Sequence, residues 1–315
     1  MSFSSSAKDE IAAQRTSSAA QRLSMLAGLT NTAGSITIGR SGTGVRYITE
    51  TYSVGKLVSR LACAIYDVDA AIAVREKEGM GTRSVSIVLS GAECETLLKD
   101  TGLLVASGEG MMLGSGIRPN LISSETKKRA FLSGAFLGSG SITNPDKSYH
   151  LEIVCRNEEL AKKICEMMNG FGFNAKSFQR KSTSVVYVKE GDSISGFLAL
   201  MGASNAALEF EEARIYKSIK NNTNRMVNYE NANLDKTARA AAAQTQCIEL
   251  IRDEMGLTKL PDALREVAEV RLNNREATLN ELAQLTGISK SSVNYRLGKL
   301  KEIADDIRIN TATCK

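Results

Sequence analysis

The chain has no tryptophan, three prolines, one histidine and only 5% aromatic residues. Aromatic stacking platforms and proline-rich linkers are therefore not expected. The six cysteines (Cys63, Cys94, Cys155, Cys165, Cys247, Cys314) include no CxxC pair. With a single histidine, that excludes the usual Cys/His zinc patterns, and no metal or cofactor is expected. The plain reading is reduced thiols in the cytoplasm. No apolar run approaches the roughly 18–20 residues of a bilayer span, so no membrane partner is expected. The opening "MSFSSSAKDEIAAQ" meets acids early and lacks the apolar stretch of a secretory signal. What remains is a globular composition, 43% hydrophobic and 24% charged, with a net charge of +5 over 315 residues. That charge permits nucleic-acid binding without requiring it. The length suits two or three domains.

An internal repeat is present. "LAGLTNTAGSI" (26–36) matches "LSGAFLGSGSI" (132–142) at Leu26/Leu132, Gly28/Gly134, Gly34/Gly140, Ser35/Ser141 and Ile36/Ile142. Each copy is followed by two strand-like runs, a helical pattern, two more strand-like runs and another helical pattern. Ser53 and Asn157 stand where helix N-caps belong. The order αββαββα occurs twice over about 100 residues each. A glycine-rich helix end alone is commonly a C-cap before a turn. Two copies with the same sequel suggest instead that the two helices pack together, glycine allowing closer approach than the usual 8–10 Å or so.

"LAGLTNTAG" and "LSGAFLGSG" resemble the LAGLIDADG motif of homing endonucleases. The resemblance implies a pseudo-twofold pair with two such helices at its centre and a four-stranded saddle-shaped sheet on either side. In that family an acid at the eighth motif position holds the Mg²⁺ that activates water. Here those positions are Ala33 and Ser139. Asp146 and Glu152 are near in sequence, but nothing places them at the helix ends. The expectation is a retained scaffold without catalysis.

Residues 278–304, "TLNELAQLTGISKSSVNYRLGKLKEIA", have the spacing of a helix-turn-helix. Thr278 and Glu281 predict a capping box, Gly287 the tight turn, and Ser289 the cap of the next helix. Ala283 permits close helix packing, and Ile288 and Val293 fill the space between. Val293, Leu297 and Leu300 should face inward. Ser291, Asn294 and Tyr295 then point outward near the helix start, where a recognition helix reads bases. Ser289, Lys290, Ser292, Arg296, Lys299 and Lys301 are candidates for phosphate contact. No acid lies between 289 and 301, a local charge of +4. Upstream, 260–274 predicts a supporting helix. Pro261 suits its first turn, and Leu264, Val267 and Val270 share one side.

Between these regions, 213–229 carries Arg214, Lys217, Lys220 and Arg225 without an acid, and asparagine is dense from 221 to 233. It reads either as a solvated connector leading into an Ala-rich helix or as a phosphate-contacting arm. "NRMVNYENANLDKTARAA" running into a helix-turn-helix, "AFLGSGSITNPDKSYHLEI" (135–153) and the opening "MSFSSSAKDEI" together resemble the WhiA family of bacterial regulators, over nearly the whole chain and most weakly over 75–125.

The resemblance implies a duplicated, degenerate LAGLIDADG-like domain joined to a helix-turn-helix like that of sigma-factor region 4. It implies a non-catalytic DNA-binding regulator, tied to cell division, chromosome segregation and, in sporulating relatives, sporulation septation. The expected class is α+β: a duplicated αββαββα domain over 1–210 (repeats about 1–110 and 125–210), a basic Asn-rich linker and helix over 211–245, and an all-α helix-turn-helix domain over 246–315. The expected partner is double-stranded DNA, with another regulator or RNA polymerase as protein candidates. The expected place is the cytoplasm, on the nucleoid. Internal pseudo-symmetry favours a monomer. Two other readings remain open: a metal-dependent endonuclease with relocated acids, and a protein-interaction module with incidental DNA binding.

Overall fold

The computed structural model describes residues 2–16, 18–39, 42–76, 83–108 and 110–313. The chain forms two compact units, Met1–Ser218 and Ile219–Lys315.

In the first unit, α1 (Phe3–Ala13) precedes two copies of one arrangement. The first copy comprises α2 (Ala19–Ala33), β1 (Gly34–Gly39), β2 (Gly42–Thr49), α3 (Tyr52–Ile65), β3 (Asp69–Glu76), β4 (Arg83–Ser90) and α4 (Cys94–Asp100). A hairpin, β5 (Leu104–Ser107) and β6 (Gly110–Leu113), and a short 3-10 turn at Pro119–Ile122 follow. The second copy comprises α5 (Glu125–Ser139), β7 (Gly140–Ile142), β8 (Leu151–Cys155), α6 (Glu158–Gly170), β9 (Lys176–Arg180), β10 (Thr183–Val188) and α7 (Gly191–Met201). Both sheets are antiparallel with equivalent order, β1-β2-β4-β3 and β7-β8-β10-β9. The register repeats too: Gly34 pairs with Tyr47, and Gly140 pairs with Ile153, both 106 residues further on.

Strand alternation sets which face is core. Val85, Ile87 and Leu89 of β4 are buried, as are Leu151, Ile153 and Cys155 of β8, while the residues between them turn outward. The helices α2 and α5 are different. Residues 24–31 and 130–137 are buried without interruption, so both helices are enclosed on all sides. They can be, because their backbones touch. A Cβ on Gly28 would meet the Phe131 carbonyl oxygen, and one on Gly134 would meet that of Met25. The two glycines expected to allow close approach stand at the crossing itself.

Asn157 caps α6, accepting from the Leu160 N–H at 2.9 Å. Ser53 is not a cap. It lies inside α3, whose N-cap position is Thr51, and its hydroxyl donates to Asp9 of α1 at 2.5 Å. The tertiary partner won over the local role.

The chain passes between the units within α8 (Ser204–Glu254). Its Phe210 is buried in the first unit against Phe3 and Tyr149. Residues 219–236 are exposed, and Thr245, Ile248 and Ile251 are buried in the second unit. Residues 211–245 are thus helical throughout, with no irregular connector before a helix. The second unit adds a 3-10 turn at Leu257–Lys259, α9 (Asp262–Asn273), α10 (Leu279–Thr286) and α11 (Lys290–Thr313) around Val267, Leu282, Val293, Leu297 and Leu300. Pro261 is the N-cap of α9, one residue before the first turn predicted for it.

Among the described residues no helix is long and apolar enough to cross a membrane. The described cysteines are free thiols, and burial pushes that of Cys155 up to about 12. Cys314 lies outside the described residues.

Candidate nucleic-acid interface

In the second unit, α10 opens with the reciprocal capping box. The Thr278 N–H donates to Glu281 Oε2 at 2.7 Å, and the Glu281 N–H donates to Thr278 Oγ1 at 3.3 Å. Those bonds lower the Glu281 pKa. The helix stops at Gly287, whose φ of +68° is in the left-handed region that glycine enters without a Cβ clash. Ser289 then starts α11, accepting from the Ser292 N–H at 3.2 Å. Its hydroxyl also meets those of Ser291 and Ser292 at 2.9 and 2.8 Å.

Helical periodicity sorts the faces of α11. Val293, Leu297 and Leu300 are buried, each burial worth about 1.5–3 kcal/mol. Ser291, Asn294 and Tyr295 are exposed together on the opposite side, Tyr295 at 66%. The structure therefore groups the three candidate base-reading residues at the start of one helix.

The candidate phosphate contacts divide. Lys290 and Lys301 are exposed and have no ion pair among the described residues. Arg296 instead donates to the Ala263 carbonyl at 3.2 Å and lies 3.5 Å from Glu266, tying α11 to α9. Lys299 pairs with Glu302 at 2.6 Å, and that hydrogen bond raises its pKa. The acid just beyond the acid-free run thus reaches back into it. The α8 cations divide the same way. Arg214 is held by Asp192 and Glu211 at 2.6 and 2.7 Å. Lys217 donates to the Lys147 carbonyl at 3.1 Å and lies over the Tyr149 ring. Lys220 and Arg225 are exposed, without a pairing among the described residues.

Sequence reasoning passed over Arg271. It is 1% exposed, has no carboxylate partner among the described residues, and donates to the Ala277 carbonyl at 2.6 Å and that of Asn274 at 3.3 Å. It clamps the loop that aims α10 into the turn. Burial lowers its pKa. An arginine on the buried side of α9, three residues after Ala268, was the available signal.

At the motif ends of the first unit, Ser139 donates to the Val154 carbonyl at 2.6 Å. Ala33 is half-buried and has no side-chain oxygen. Glu152 projects from β8 into bonds with Arg180 at 3.1 Å and His150 at 3.4 Å, and Asp146 is exposed in the β7–β8 loop. No group of three His, Cys, Asp or Glu residues is arranged to hold a metal ion among the described residues. The neighbours there are instead Arg156, which donates to the carbonyls of Thr30 and Asn31 at 2.9 Å each, and Lys8 and Glu50, which line a cleft beside Ser139.

Comparison with known proteins covers almost the whole chain. Residues 19–104 match the WhiA N-terminal LAGLIDADG-like domain, 128–220 the WhiA LAGLIDADG-like domain, and 223–304 the WhiA C-terminal HTH domain. "Probable cell division protein WhiA" of Clostridium tetani is 37% identical over 312 residues, covering 98% of each chain. The protein of the same name from Clostridium perfringens is 38% identical, covering 98% of this chain and 99% of its own. The crystal structure of full-length WhiA from Thermatoga maritima superposes with a TM-score of 0.60 at 27% identity, covering 97% of this chain and 99% of that one.

Proposed function

The chain belongs to the WhiA family, and from that premise we propose that it is a sequence-specific, non-catalytic DNA-binding transcriptional regulator acting in cell division. The observation that carries this reading is α11. A helix capped by Ser289 presents Ser291, Asn294 and Tyr295 in one exposed group, flanked by Lys290 and Lys301, which have no ion pair among the described residues. Asn294 has the side chain that pairs bidentately with adenine, and Tyr295 offers both a ring and a hydroxyl. Lys290 and Lys301, with the hydroxyls of Ser289 and Ser292, hold phosphates. Arg296 and Lys299 join them only by giving up Glu266 and Glu302. On α8, Lys220 and Arg225 are the arm's phosphate contacts, while Arg214 and Lys217 serve the fold.

The proposal divides the work as 1–210 scaffold, 211–245 connecting arm and 246–315 reader. The protein works as a monomer on the nucleoid in the cytoplasm, with double-stranded DNA as its partner and another regulator or RNA polymerase as a protein contact. The names of the clostridial relatives support the link to cell division. Chromosome segregation and, in sporulating hosts, sporulation septation extend the same role.

The test is selection of bound duplexes from a randomised pool with Mg²⁺ present, followed by sequencing of the intact retained DNA. The expected result is an enriched motif on uncut DNA. Asn294→Ala should cost about 1–3 kcal/mol on that motif and relax one base position. Lys290→Ala should weaken all sequences alike and reduce the salt slope by about 1. Cleavage of the pool, or enrichment unchanged by Asn294→Ala, would sink the reading.

A further inference from the structure

The repeat predicts equal surroundings for the ends of α2 and α5, and the structure gives unequal ones. Glu50 and Arg156 follow β2 and β8 and are 106 residues apart, the repeat offset. Arg156 fills its end, its guanidinium bonded to the last carbonyls of α2. Glu50 leaves its end open. A cleft of about 800 Å³ lies between the end of α5, β2 and the first turn of α1, a volume within the range of small-ligand sites.

The chemistry of the cleft suits an oxyanion. Lys8 and Arg75 face it, and neither has an ion pair among the described residues. Lys8 is half-buried, with its ammonium over the Phe136 ring at 5.8 Å. Burial lowers its pKa to about 8, with Glu50 pulling the other way. Ser2, Ser5 and Ser141 also line it, and Ser2 caps α1 by accepting from the Ser5 N–H at 3.2 Å. The first turn of α1 is pinned there, Ser4 Oγ accepting from the Ile142 N–H at 3.2 Å. A helix start beside two cations and several hydroxyls is a set that matches the tetrahedral oxygens of phosphate. Glu50 leaves a balance of +1 among the charged side chains, sufficient for an ester phosphate and unfavourable to a cation.

We propose that this cleft is a phosphate site, taking the phosphate group of a small phosphate ester or of a nucleic-acid backbone on Lys8, Arg75 and the first turn of α1. The proposal is independent of the role assigned to α11.

The experiment uses the full chain with inorganic phosphate and pyrophosphate as probes, against chloride at matched ionic strength. Thermal melting should rise saturably with either probe and not with chloride, as for any ligand that binds only the folded state. Lys8→Met and Arg75→Gln should each weaken the apparent affinity at least fivefold. Arg75 is exposed, so its variant reads the affinity without disturbing buried packing. A response no greater than that to chloride, or one unchanged in both variants, would overturn the proposal. A second arm identifies the source. If phosphate competes with a short duplex and both variants bind that duplex less tightly, the group belongs to a backbone. If phosphate binds and duplex affinity is unchanged in the variants, it belongs to a small ester. Either result supports the site.

Discussion

The two repeats of the first unit share strand order and register but differ where their central helices end. In the first, Thr30 bonds the Tyr47 hydroxyl at 2.8 Å, and buried Asn31 donates to the Ala27 and Thr101 carbonyls at 2.9 and 2.7 Å. Burial holds the Tyr47 phenol above its ordinary pKa. In the second, the positions 106 residues on are Phe136, Leu137 and Ile153, all fully buried and apolar. A polar network and a hydrocarbon core support the same topology. Strand order needs only alternation and a close helix crossing. What fills the space behind it is free to diverge, and so are the residues at the motif ends, where Glu50 and Arg156 carry opposite charge.

The comparison breaks first at what the repeats share. Gly28→Val or Gly134→Val should each destabilise the first unit by about 3 kcal/mol or more, since the new side chain meets backbone of the other helix that cannot step aside. Calorimetry should show the loss in both variants; tolerance of either would mean the helices can separate. The next effect is asymmetric. Arg156→Ala should cost about 1.5–3 kcal/mol, because it strips two carbonyls at the end of α2 of a charged donor. Glu50→Ala, at an exposed carboxylate, should stay within about 0.5 kcal/mol in denaturant titrations. Equal costs would remove the distinction between the two ends.

The smallest effect sharpens it. Lys8→Met should raise stability by roughly 1 kcal/mol at pH 7 by removing a desolvated cation. The folded pKa of Lys8, about 8, lies below its ordinary 10.5. Between those values the unfolded chain binds more protons than the folded one, so wild-type stability rises with pH. The advantage of the variant should therefore shrink from pH 8 to 10.5. An advantage that does not change with pH would mean that Lys8 carries no desolvation cost.

Much of this was legible because it is local or periodic. The repeat offset, the capping box at Thr278 and Glu281, the turn at Gly287 and the inward triad Val293, Leu297 and Leu300 each depend on residues within a few positions. Legibility ended where a side chain found a distant partner. Ser53 has the composition of a cap but bonds Asp9, 44 residues away in sequence. Arg296 has the placement of a phosphate contact but bonds the Ala263 carbonyl, 33 residues away. In the joining segment, asparagine density suggested a connector, and the helix runs through it.

The sequence by itself determined the duplicated frame, the helix-turn-helix and the absence of motif carboxylates at Ala33 and Ser139, because periodicity, capping and residue chemistry are written in short windows. Only the tertiary structure decided which cations are free. Among the described residues Lys290, Lys301 and Lys8 lack ion pairs, while Arg296, Arg214 and Arg156 are committed to carbonyls or carboxylates of other elements. A charge becomes available to a ligand only when folding brings it no nearer partner, and partners many residues apart are chosen by packing.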